Sequence, residues 1–254
     1  MDKVVLMYHC VYKESTTESG FQNDSALMYK VAVDNFESQV RTIADFLKKN
    51  RIPNDIVEFT FDDGGISFYT TIAPVLERHN FKGIFFVATK YIGTSLFMTK
   101  EQVKALENRG HIVGSHSDSH PENIAALDYS AIEREWKDSC CQLTDILGHE
   151  INIASIPNGD ISYDVIKAAN AAAIKTLYTS EPTTRIRNVG GVNLIGRYVV
   201  YNNSTTDDVL KIIVNRNYRR RIYLKYFVIR CAHKILGSYY NKLKTSIFSR
   251  QKSN

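Results

Sequence analysis

Seven short runs of β-branched and aromatic residues recur along the chain, at residues 4–9, 56–61, 83–88, 111–116, 153–157, 175–179 and 194–200. Between them the apolar positions take helical spacing, predicting helices at 35–49, 70–79, 99–108, 130–147, 162–172 and 206–214. Pro74 falls in the first turns of the second of these, where proline is tolerated. Gly110 follows the third, as a C-cap should. Strands that alternate with helices predict parallel βαβ units, closed as a barrel or left as an open sheet. In either arrangement the reactive loops follow the C-terminal ends of the strands.

The polar residues obey that expectation. His9 ends the first run, Asp62 and Asp63 follow the second, His116 ends the fourth, and Pro157-Asn158-Gly159 follows the fifth. Side chains alternate along a strand, so one aspartate can bind a cation while its neighbour stays free as a base. Gly64 and Gly65 allow the backbone to approach a ligand. His116 and His120 lie four residues apart and can both reach one ion. Two imidazoles with one carboxylate form a facial triad that leaves positions open for water and substrate. A divalent ion there polarises a carbonyl and lowers the pKa of its water towards ~7, and a free carboxylate takes the proton. These parts suit hydrolysis of an amide or ester. Phosphoryl transfer is not expected, because the chain has no glycine-rich phosphate cradle.

Composition narrows the picture little: 254 residues, 44% apolar and 23% charged, are ordinary for a globular chain. Cys10, Cys140, Cys141 and Cys231 show no CxxC spacing, as expected for free thiols in a reducing compartment. The N-terminus runs straight into the first strand without a signal-peptide pattern, and a cytoplasmic body is expected. Charge changes the picture more. Residues 216–254 hold eleven Lys/Arg and no Asp/Glu, so with 32 basic and 27 acidic residues overall the remainder carries 21 against 27. Tyr218, Ile222, Leu224, Phe227, Val228, Cys231, Ile235, Tyr239, Leu243 and Ile247 recur mostly three or four apart among these charges. Such a basic amphipathic helical tail predicts peripheral attachment to an anionic membrane surface at its inner face. The alternative is a helix packed on the body with a solvated basic face. Nucleic acid is not the expected partner, since no recognition motif accompanies the charge.

In the order and pairing of its motifs the chain resembles the polysaccharide deacetylase family, the NodB-homology domain of carbohydrate esterases. Thr60-Phe61-Asp62-Asp63-Gly64 is similar to the family's first motif and His116-Ser117-Asp118-Ser119-His120 to its second. Met7-Tyr8-His9, Ala73-Pro74-Val75-Leu76 and Gly110-His111-Ile112-Val113-Gly114 are similar to the flanking text. The likeness covers residues 1 to about 200. It implies a distorted (β/α)7 barrel over 1–215, zinc as the divalent metal, and removal of acetyl groups from N-acetylated sugars. It also implies Asp62 as base and Asp63, His116 and His120 as ligands. Two departures stand out. Ser155 occupies the position of the arginine that pairs with the base, and Asn158 that of an aromatic residue, although the Asn158 backbone N–H can still serve an oxyanion hole. No leucine-x-histidine, the source of the family's general acid, occurs between Val189 and Asn203. Branches associated with exopolysaccharide and capsule synthesis share these departures, which points to a polysaccharide or lipid-linked glycan. His9 is then a candidate proton donor. Pro157 and Gly159 are candidate substrate contacts. Arg197 either neutralises the pocket's carboxylates and meets substrate or forms a surface salt bridge. The competing readings are a carbohydrate-binding relative without turnover and a membrane-surface adaptor acting through the tail.

Overall fold

The computed structural model describes residues 2–236. Nine strands form one curled sheet: β1 Val4–Tyr8, β2 Val57–Phe61, β3 Gly83–Val87, β4 Ile112–Ser115, β5 Ile153–Ser155, β6 Thr176–Tyr178, β7 Ile186–Val189, β8 Val192–Ile195 and β9 Tyr198–Val199. Their order in the sheet is β9-β1-β2-β3-β4-β5-β6-β8-β7. All pairings are parallel except the β7–β8 hairpin. The chief helices are α1 Val33–Lys49, α2 Ala73–Arg78, α3 Lys100–Asn108, α4 Tyr129–Leu147, α5 Tyr163–Ala171, α6 Thr206–Val214 and α7 Arg216–Leu236. The expected α/β barrel of distorted (β/α)7 type is therefore present.

Strand alternation sorts the core into two layers. Val4, Leu6, Tyr8, Phe59, Phe61 and Phe85 join the large cluster beneath the helices. Val5, Ile84, Phe86 and Tyr178 pack together on the opposite side of the same strands, with Ile153 and Ile195 against them. This is the period-2 pattern of a sheet covered on both faces. Gly114 is required here, because a Cβ would lie 2.8–2.9 Å from Ile153 and Phe86. Trp136, Phe85 and Phe86 are core residues, as their sequence setting suggested.

The structure corrects one strand. The run at 194–200 is not continuous: β8 pairs with β6 and lies one strand in from the β7 edge, whereas β9 pairs with β1 and is the opposite edge. Gly196 and Arg197 form the bend that joins them. A Cβ on Gly196 would stand 2.4 Å from the Glu181 carbonyl oxygen, so only glycine fits. Two residues of chain thus tie the two sides of the curled sheet together. Patterning also missed the β7 strand, since Ile186-Arg187-Asn188-Val189 is mostly exposed and lacks a buried face.

Outside the sheet, Glu77 on α2 receives Arg109 Nε and Nη2 at 3.0 and 2.7 Å and lies 3.0 Å from His111 Nε2. His111 Nδ1 accepts from Gly83 N–H, so it is a structural histidine. The Arg109 hydrogen bonds, with help from His111, pull the Glu77 carboxyl from 4.5 to about 2. A depressed folded-state pKa contributes stability that is present above about 4.5 and is lost as pH falls towards about 2. Glu77→Gln is expected to flatten the acid slope of unfolding free energy over that window, read by urea denaturation at successive pH values.

Candidate active site

Asp62 and Asp63 leave the end of β2, and the backbone turns sharply there: Asp63 takes φ 92° and Gly64 φ 93°. A positive φ at a non-glycine residue is costly and is held only where its surroundings fix it. The surroundings are tight, since a Cβ on Gly65 would lie 2.5 Å from both Cys10 Sγ and Ser19 Oγ. The turn points the two carboxylates apart, which gives each its own partners.

Asp63 meets His116 and His120. Both Nε2 atoms stand 3.5 Å from Asp63 Oδ1, and one ligand atom from each residue lies within 4.8 Å of the others. The tautomer suits a cation. His116 Nδ1 lies 3.1 Å from the Ser155 carbonyl oxygen, which can only accept, so Nδ1 carries a proton and Nε2 is the ring atom left to face Asp63 and a cation. Burial foremost lowers the His120 pKa, which favours its neutral ring. Burial opposes charge on Asp63, but the His116 hydrogen bond and the neighbouring imidazoles hold its carboxyl well below the usual range. A buried carboxylate facing the Nε2 atoms of two imidazoles is a donor set that fits a divalent metal, which would take the place of any proton between them.

The loop carrying the two histidines is fixed from behind. Ser117 and His120 have φ 61° and 53°. Glu135 on α4 accepts from Asp118 N–H at 3.1 Å, Ser119 N–H at 2.8 Å and Ser119 Oγ at 2.5 Å. Asp118 is tied down by Thr89 Oγ1 and Gln142 Nε2, both at 2.7 Å. Sequence reading missed Glu135, because nothing in a helical run marks which surface carboxylate turns towards a distant loop.

Asp62 faces Arg197. Nη1 donates to Oδ1 and Nη2 to Oδ2, both at 2.7 Å, and the guanidinium is fully buried. Arg197 also donates to the Thr179 carbonyl oxygen and to Thr60 Oγ1, and it lies over the Phe86 ring. A surface salt bridge is thus excluded for Arg197. The side chain points into the sheet from the bend where β8 gives way to β9. Ser155 Oγ donates to Asp62 Oδ1 at 3.1 Å and sits 2.6 Å from His116 Nδ1, linking the two carboxylate systems. Burial works against charge on Asp62, but Arg197 first and His116 next keep the carboxyl below its ordinary value. Of its acceptor sites, Oδ1 receives two of these donors and Oδ2 one, leaving Oδ2 the freer oxygen.

His9 stands beside this centre at the end of β1. Its Nδ1 is buried with no partner among the described residues. Burial lowers its pKa, against the pull of Asp63 and Asp62. The ring stacks on Tyr29 at 4.5 Å, and Tyr29 stacks on Tyr201 at 5.5 Å. The outermost ring, Tyr201, is exposed. Pro157, Asn158 and Gly159 form a tight turn after β5. Asn158 has φ 55°, a region that asparagine tolerates better than an aromatic residue does. Its Nδ2 donates to the Pro121 and Glu122 carbonyl oxygens, tying this turn to the histidine loop. Gly159 backs against Ser180, where a Cβ would lie 2.8 Å from Oγ.

The model of the family described as "Polysaccharide deacetylase" matches residues 37–177. The chain belongs to the polysaccharide deacetylase family. YxkH of Bacillus subtilis, named for the same family, is 26% identical over 188 residues, 73% of this chain and 67% of YxkH. A peptidoglycan-N-acetylglucosamine deacetylase of Bacillus cereus is 31% identical over 118 residues, 44% of this chain and 40% of that enzyme. The chain thus spans about two thirds of the first relative and under half of the second. Among solved structures, the Streptococcus pyogenes deacetylase PplD in complex with acetate superposes with a TM-score of 0.68 at 22% identity. It covers 84% of this chain and 98% of that one, a likeness of fold. The family motifs Thr60–Gly64 and His116–His120 lie inside the matched span, whereas His9 and Arg197 lie outside it.

Proposed function

We propose that the protein is a metal-dependent hydrolase that removes acetyl groups, N-acetyl in particular, from a polysaccharide or lipid-linked glycan. The observation that carries this reading is the division of the strand-end carboxylates between a metal-type donor set and an arginine-held base. Asp63, His116 and His120 would hold the cation, zinc by the chemistry of two imidazoles and a carboxylate. When bound, it supplies polarisation of the acetyl carbonyl and acidification of a water.

The chain's own residues do the rest. Asp62, kept ionised by Arg197, takes the proton of the attacking water at Oδ2. The Asn158 backbone N–H serves the carbonyl oxygen as charge develops on it. His9 hands a proton to the departing amine, filling the role for which the chain has no histidine between Val189 and Asn203. Pro157 and Gly159 shape the acyl end of the cleft, and the Tyr29–Tyr201 stack offers the sugar an aromatic wall. Intact Asp62 and its two-pronged arginine favour turnover over a carbohydrate-binding relative without it.

The test is acetate release from a panel of N-acetyl and O-acetyl glycans, before and after removal of metal by chelator. Release that depends on added divalent metal is expected, and metal-independent release would refute the reading. The role of His9 has its own check. His9→Gln is expected to keep its metal and to lose about 10²–10⁴-fold in turnover of an amide, whose amine needs a proton to leave. On an aryl acetate, whose phenolate leaves unaided, the loss should nearly vanish. Equal losses on both substrates would assign His9 a structural role.

A further inference from the structure

Helix α7 presents two stripes of opposite kind. Arg219 is buried and donates to the Ile212 and Ile213 carbonyl oxygens and to Asp2. Ile222 packs on the large core cluster. Tyr226 and Ile229, with Arg230, line a cavity of about 430 Å3 together with Asn158 and Gly159. Positions 219, 222 and 226 follow the three-and-four spacing of one helix face, so this face is turned to the body, with Ile229, 40% exposed, at its edge.

The opposite face should be polar if water covered it, and it is not. Leu224, Phe227 and Val228, again three and four apart, are 61%, 52% and 64% exposed. At 100° per residue they lie about 120–160° around the helix from Ile222. Arg220, Arg221 and Lys225 are exposed alongside them, and Arg216–Leu236 contains seven basic residues and no acidic one. The packed-helix alternative therefore explains only half of the helix. Among the described residues no helix is long and apolar enough to span a membrane. Tyr239, Leu243, Ile247, Lys242 and Lys244, part of the same sequence pattern, lie outside the described residues.

We propose that α7 is a docking face for an anionic lipid surface, with Leu224, Phe227 and Val228 entering the headgroup boundary and Arg220, Arg221 and Lys225 meeting lipid phosphates. An apolar stripe in a uniformly basic setting is complementary to that surface, whereas a protein partner of mixed charge would leave the basic residues unmatched. The inward face of α7 lines the cavity beside Asn158 and Gly159. Docking therefore holds the cleft next to the surface, where a membrane-borne glycan would be presented. The docking rests on α7 alone, and only its delivery of a glycan rests on the deacetylase reading.

Vesicle sedimentation of the full chain tests it without any turnover. Wild-type protein is expected to pellet with vesicles of phosphatidylcholine and phosphatidylglycerol at low salt, and to be released as salt is raised. Leu224→Asp with Phe227→Asp, and separately Arg220→Gln with Arg221→Gln and Lys225→Gln, should each weaken binding roughly ten-fold or more. Unchanged circular dichroism and melting temperature establish that these surface variants fold. Indifference of the wild type to anionic vesicles overturns the proposal, as does equal binding by wild type and both variants. A concentration-dependent dimer that the Leu224→Asp, Phe227→Asp variant abolishes would overturn it too, because the stripe would then belong to a second copy. Failure of acetate release with intact vesicle binding would sink only the deacetylase reading.

Discussion

Alanine at Asp63, His116 or His120 is expected to reduce bound divalent metal from one per chain to background and acetate release to the level of chelated wild type. The three ligand atoms all lie within 4.8 Å of one another, so removing one leaves two donors and no facial set. His116 should be the most sensitive position. Its Nδ1 contacts the Ser155 carbonyl oxygen and Oγ, and the same serine donates to Asp62. Its loss unseats both carboxylate systems at once. Metal analysis after dialysis, with circular dichroism to confirm folding, reads the result directly. Stoichiometric metal in all three variants would show that the donor set has been assigned wrongly.

The second large effect concerns the Asp62–Arg197 pair, which is buried on both sides. Arg197→Met leaves a carboxylate in the core without its counter-charge, and breaking a buried pair in this way typically costs about 3–5 kcal/mol. Asp62→Asn should keep the metal but lower turnover by about 10²–10⁴-fold, the usual loss when a general base is removed. Combining the two should recover part of the stability lost in Arg197→Met, because the orphaned charge is gone, and should recover none of the turnover. Urea denaturation of the four proteins closes the cycle and gives the coupling energy. Additive destabilisation would mean that the two side chains do not depend on each other, contrary to the two 2.7 Å contacts.

The residues that converge on the candidate site were legible wherever a strand end carried them. Asp62, Asp63, His116 and His120 follow apolar runs whose period announces a strand, and parallel strands deliver their ends to one face. Arg197 was harder to read. Its neighbours Ile195, Tyr198 and Val199 continue an apolar run, so the sequence shows a charge in a strand but not the bend that turns it inward. The usable signal was chemical: with Ser155 at the position where the family has an arginine, Asp62 lacked a partner that some other cation had to replace. The Tyr29–Tyr201 stack left no trace, because the two residues are remote in sequence and meet only through tertiary folding. Glu135 was invisible for the same reason.

The two-residue bend at Gly196–Arg197 has a consequence for when the protein becomes competent. Every donor of the metal-type set is in place by residue 120, but Arg197, the partner of the proposed base Asp62, arrives only with the last segment of the sheet. A nascent or clipped chain that stops short of this bend would carry the metal-type donors and lack an armed base. If Asp62 is the base proposed above, joining the two sides of the sheet and arming that base would be one event, and the cleft would gain its hydrolytic potential only once the fold around it is complete.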